Sequence, residues 1–144
     1  EEGIAVAEMI AGLPGHIDFN TVPWVIYTEP EIAWVGETEK QLKERGVEYK
    51  VGTFPFAAIG KALTMEAGDD GGFVRIVARN DDHVIVGIQA VGTHVAELSG
   101  EFALALEMGA VVEDLAGTIH VHPTLSEATM EAALATFGKA IHAP

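Results

Sequence analysis

Cysteine is absent from the chain. The 144 residues therefore hold no disulfide, no thiolate metal ligand and no thiol redox couple of their own. Basic residues are scarce: 8 Lys and Arg stand against 22 Asp and Glu, for a formal charge of −14. That field repels a polyanion and no basic stripe offsets it, so no nucleic acid is expected as a partner. Long apolar runs are missing too. None approaches the ~20 residues of a membrane-spanning helix, and no basic-then-apolar leader opens the sequence. The expectation is a soluble protein with no membrane partner, cytoplasmic or, in a eukaryote, in the mitochondrial matrix. Phosphate-cradling patterns are also lacking, since neither G-x-G-x-x-G nor G-x-x-x-x-G-K-[ST] occurs. The glycine-rich stretch "GDDGG" carries two carboxylates where a phosphate needs open N–H groups, and reads as a turn before a strand. By itself the chain is expected to hold no dinucleotide.

What is present is an apolar chain of single-domain size. Hydrophobic residues make up 49% of it, enough that part of the apolar surface is expected to meet a partner. Residues 1–11 read as a short helix, broken by "GLPG". "TVPWVIYT" (21–28) reads as a strand, and "EPEIAWVGET" as a turn and a second strand. Thr38 is placed to cap a helix through "EKQLKER" that Gly46 ends. "VEYKVGTFPF" (47–56) is a further strand and "AAIGKALTMEAGDDGG" an irregular connection. "FVRIVARNDDHVIVGIQAVG" pairs two apolar runs about a polar turn, the pattern of an antiparallel hairpin. Helices follow over 93–109, over "VVEDLAG" and over "LSEATMEAALATFG". Antiparallel strands with helices packed on one side make an α+β fold of one domain.

The segment "TIHVHPTLSE" (118–127) carries the chemistry. In an extended segment residues i and i+2 face one side, so His120 and His122 could share a zinc ion with Glu127 as third ligand. Alternatively, one nitrogen of His122 handles a proton while Glu127 holds the other in its tautomer. Here Pro123 redirects the chain, and Thr124 or Ser126 caps the next helix. A third reading is that Glu127 only completes a helix start, where acidic residues are favoured.

The same segment resembles the H-A-H-P-T-L-x-E signature of the dihydrolipoamide dehydrogenase family of FAD- and NAD-linked disulfide reductases. "VPWVIYTEPEIAWVGETEKQLKERGVEYKVGTFPFAA" resembles the entry to that family's interface domain. "GFVRIVARNDDHVIVGIQAVG" resembles its hairpin, and "ELSGEFALALEMGAVVEDLAGTIH" the helices after it. The resemblance implies that residues 16–144 are an interface, or dimerisation, domain, and that residues 1–15 are the last helix of a preceding FAD domain with its linker. It implies a homodimer, joined largely by the C-terminal helices and the His122 loop. His122 would reach the flavin and redox disulfide of the other subunit as acid/base toward dihydrolipoamide thiols, with Glu127 orienting it. Pro123 would approach the flavin beside it, through a His122–Pro123 bond that is typically cis in the family. His120 is assigned a structural role, and no metal is expected.

Two departures stand out. Ile59 and Lys61 occupy positions where the family usually has Asn and Arg. The FAD and NAD domains, with the C-x-x-x-x-C disulfide, have no counterpart in these residues, so the chain is expected to be inert alone. A competing expectation is an excised or engineered self-associating module without catalysis. A third, from another class, is a small metal protein built on His120 and His122.

Overall fold

The structure, a computed structural model, describes residues 1–65 and 71–142. Helix α1 (Glu2–Ile10) opens the chain, followed by strands β1 (Trp24–Ile26) and β2 (Glu31–Gly36), helix α2 (Glu39–Glu44) and β3 (Tyr49–Pro55). Next come α3 (Gly60–Thr64), β4 (Gly72–Arg79) and β5 (Ile85–Gly92), then α4 (Ser99–Glu107), α5 (Val112–Gly117) and α6 (Glu127–Ala135). The strands form one sheet in the order β1-β2-β5-β4-β3, and every pairing is antiparallel.

Register explains which face is buried. Gly52, Ile76, Ile88 and Val35 stand opposite one another across four strands, as do Phe54, Val74, Ala90 and Ala33. Directly opposed residues share a face, and all eight are buried. Against them pack Phe102 and Ala105 of α4, Val112 and Leu115 of α5, and Ala128, Ala132 and Ala133 of α6 in one core. The α+β fold with helices on one side is therefore the fold observed. The short α2 is an addition on the other face. Its Glu39 reaches Arg75 and Tyr49, and Arg75 lies between core-facing Val74 and Ile76, so it points the opposite way.

Local chemistry accounts for the element ends. Thr38 caps α2 as expected, in a capping box that Gln41 completes, and Gly46 follows with φ 68°. The strand expected over 21–28 shrinks to three residues, because the Asp18 side chain accepts the Asn20 N–H and starts a 3-10 turn at Phe19–Thr21. The helix expected over 93–109 begins instead as a 3-10 turn, Val95–Leu98. At that pitch residues i and i+3 eclipse, which sends both Val95 and Leu98 into the core. The segment expected to be irregular winds into a 3-10 turn, Phe56–Ala58, and then α3. Ile59 and Ala62 supply the reason, since both are buried. Residues 66–70, most of the "GDDGG" turn, lie outside the described residues.

The alanine-rich face of α6 is consumed by the protein's own core, with Ala128, Ala132 and Ala133 fully buried. Open apolar surface lies elsewhere, at Leu104 of α4 and Met108 just after it, and at Ile119, Val121 and Ile141. On α1 the side chains of Ile4, Val6, Met9 and Ile10 are likewise exposed.

Candidate functional site

The link between α5 and α6 holds the histidine motif and puts its two histidines to different uses. Where the chain leaves α5, the Thr118 hydroxyl donates back to Asp114 O at 2.7 Å. His120 then turns inward. Its Nε2 lies 2.7 Å from Glu101 Oε1 in the first turn of α4 and its Nδ1 2.9 Å from Thr118 O, with the side chain only 5% exposed. His122 turns outward, with a side chain 77% exposed. The His122–Pro123 peptide is cis, and the Thr124 hydroxyl closes the turn by donating to Val121 O at 2.6 Å.

Glu127 begins α6 and reaches back. Its Oε1 lies 2.9 Å from His122 Nδ1, while Oε2 accepts the Thr124 N–H at 2.8 Å. Burial pushes this carboxyl up, but the Thr124 N–H and the His122 ring together outweigh it and hold Glu127 below its ordinary value. The helix cap expected from Thr124 or Ser126 does not form: Ser126 makes no capping bond, and the two hydroxyls pair with each other at 2.9 Å. Glu127 takes the Thr124 N–H instead, which ties the turn and the imidazole to one carboxylate. A carboxylate on Nδ1 selects the tautomer protonated there. The Nε2 lone pair then faces outward, able to take up a proton.

Beside this pair lies a second one that sequence reasoning missed. Glu131, one helical turn after Glu127, is fully buried, and its carboxylate takes the Ile141 N–H at 2.7 Å and lies 2.6 Å from His142 Nδ1. The two pairs and Ile59 line a cavity of about 140 Å³. A usable signal existed, since Glu at i and i+4 share a helix face, but the return of His142 to that face is decided by the C-terminal turn. Ile59 is buried in the core and Lys61 is exposed, so the apolar replacement is absorbed by local packing.

The metal alternative requires His120 and His122 to converge, and they do not. Each is engaged by its own carboxylate, and no group of three or more His, Asp or Glu among the described residues could hold a metal ion. A cleft of about 580 Å³ is lined by the carboxylates of Glu1, Glu2, Asp18 and Glu107, which would repel a diphosphate.

The fold agrees with what the chain is similar to. Residues 22–133 match the family model for the pyridine nucleotide-disulphide oxidoreductase dimerisation domain. The chain belongs to this family. Dihydrolipoyl dehydrogenase of Pseudomonas aeruginosa is 52% identical over 141 residues, 98% of this chain and 30% of that protein. The mitochondrial dihydrolipoyl dehydrogenase of Homo sapiens is 52% identical over 143 residues, 99% of this chain and 28% of that protein. Among solved structures, LpdA from Mycobacterium tuberculosis superposes with a TM-score of 0.81 at 29% identity, covering 89% of this chain and 28% of that one. The HOCl-induced flavoprotein disulfide reductase RclA from Escherichia coli gives a TM-score of 0.77 at 26% identity, over 88% of this chain and 29% of that one. As a dimerisation domain, the chain thus spans about 30% of the length of such curated relatives. No helix among its described residues is long and apolar enough to cross a membrane.

Proposed function

We propose that this dimerisation domain supplies half of an active site to a dihydrolipoamide dehydrogenase-like flavoenzyme. His122 is the acid/base group and Glu127 its orienting carboxylate. The observation that carries this reading is the His122–Glu127 pair: a 2.9 Å contact at Nδ1 on a ring whose side chain is 77% exposed. A buried structural histidine would look like His120; an exposed one with a fixed tautomer is poised for a group outside the chain. A dihydrolipoamide thiol placed against Nε2 would lose its proton to the ring, leaving a thiolate and an imidazolium. Glu127 favours that step because the positive ring is stabilised by the adjacent carboxylate. In the longer enzyme that thiolate would attack the redox disulfide, and the ring would return its proton to the thiolate this attack releases.

The electron chemistry belongs to the flavin and disulfide of the longer enzyme; these residues contain no cysteine to supply that disulfide. The chain alone is therefore inert in this proposal. Residues 1–15 are assigned to the preceding FAD domain, in keeping with the exposed apolar side chains of α1. Two copies associate through the surface bearing Leu104, Met108, Ile119 and Val121, which brings each His122 toward the partner subunit. The test is made in a full-length flavoenzyme carrying this domain. His122→Ala is expected to lower turnover about 10²–10⁴-fold with the fold intact, and Glu127→Gln to lower it less, because that carboxylate orients the ring but moves no proton. Unchanged turnover in both variants would return the pair to a purely structural role.

A further inference from the structure

Residues 119–123, which carry His122, make no backbone–backbone hydrogen bond among the described residues. The loop is held by side chains alone. On its C-terminal side the anchors are Thr124 and Glu127. On its N-terminal side the anchor is the ring of His120, sunk to 5% exposure between neighbours Ile119 and Val121 that are 94% and 71% exposed. Its partner Glu101 sits on α4, next to Phe102, which is fully buried in the core. The chain of contacts therefore runs from the rigid core through α4 and Glu101 to His120, two residues from His122.

We infer that His120, gripped by Glu101, is a positioning residue for His122: it fixes the N-terminal side of the loop so that the His122 ring meets Glu127 through Nδ1. Two acceptors, Glu101 Oε1 and Thr118 O, face the two ring nitrogens of His120 at 2.7 and 2.9 Å. The contact therefore depends on directed hydrogen bonds as well as packing. Without it, residues 119 and 120 lose their fixed point, Val121 is held only by the Thr124 hydroxyl from the far side of the loop, and the His122 ring is free to leave the carboxylate. The assignment rests on reading His122 as the acid/base group, but the loop geometry can be tested without any turnover.

The experiment is a long-range ¹H–¹⁵N correlation of the histidine rings in the 144-residue chain, which reports the tautomer of each neutral imidazole. In the parent, His122 is expected mainly as the Nδ1–H form. In His120→Leu, which fills the space without a hydrogen bond, and in Glu101→Ala, it is expected to move toward the Nε2–H form that a free imidazole favours. His120→Gln keeps an N–H donor near Glu101 and is expected to retain most of the parent ratio. A His122 tautomer unchanged in folded His120→Leu and Glu101→Ala, or Leu serving as well as Gln, would overturn the proposal. Loss of the fold in both would also overturn it, because the pair would then support the core and not the loop. None of these outcomes depends on whether His122→Ala impairs a complete enzyme, so a failure of the proposed function is seen separately.

Discussion

Gly52→Ala tests the link between the sheet and the site. Gly52 lies on β3 directly beneath α6. A methyl group there would stand 2.0 Å from the carbonyl oxygen of Ala132, 2.6 Å from Thr136 N and 2.7 Å from Thr136 Cγ2. Two of these atoms are backbone, so no rotamer change relieves the clash and α6 must retreat by more than an ångström. Overpacking of this kind costs about 1–3 kcal/mol, and a backbone obstacle argues for the upper end. Loss of glycine's freedom in the unfolded chain offsets about 0.4–1 kcal/mol. The expected net destabilisation is about 2 kcal/mol. Urea unfolding followed by circular dichroism should show a lower midpoint at unchanged slope. The melting temperature should fall by roughly 4–8 °C, at about 2–4 °C per kcal/mol for a chain of this size. Gly60→Ala is the control, because a Cβ at Gly60 meets nothing within 4 Å. It lies in a helix, so it should be neutral or stabilising by up to about 1 kcal/mol. Since α6 begins at Glu127, its retreat in Gly52→Ala should also disturb the His122 ring signals. If Gly52→Ala matched Gly60→Ala in stability and left those signals unmoved, the account of α6 as the rigid support of the site would be wrong.

Other expectations follow from the same geometry. His142→Ala leaves the buried Glu131 carboxylate with only the Ile141 N–H among the described residues, and loss of a hydrogen bond to a charged group should cost about 1.5–3 kcal/mol, read from the same urea titration; a change below about 0.5 kcal/mol would show that the tail does not matter to Glu131. Glu127 is held below its ordinary value of 4.5. Its contribution to stability is therefore present above the unfolded carboxyl value and lost as pH falls through the lower folded one. A carboxyl ¹³C titration midpoint at or above 4.5 would contradict this. Two copies are expected to associate, and each carries −14, so sedimentation at micromolar protein should show a dimer that tightens as salt screens the repulsion. A 15.2 kDa monomer at every salt concentration would refute the dimer.

Much of the molecule was legible before any coordinates. The hairpin of β4 and β5 shows as two apolar runs about "RNDD" because alternation and turn chemistry are local properties. The capping box of Thr38 and Gln41 is likewise written within four residues. His122 and Glu127 could be paired from the string because only five positions separate them and a proline turns the chain between them. The resemblance of the same segment to a family signature then supplied what no spacing contains, namely the proposal that the histidine serves a second subunit.

What the string left undecided depends on how elements dock. His120 and His122 look equivalent as a dipeptide repeat, yet one is buried against Glu101 and the other faces out. That division is set by where α4 lies against the loop, 19 residues away in sequence. Glu131 reads as a surface residue of an amphipathic helix until the C-terminal turn brings His142 and the Ile141 N–H onto it. The alanines of α6 read equally well as a surface for another chain, and only Gly52 beneath them shows that β3 occupies that face. Sequence determines what neighbours within a few residues can do, since their separation is bounded by covalent geometry. Tertiary packing decides which of several compatible partners is met, because the core admits one arrangement of helices on the sheet and distributes the remaining carboxylates accordingly.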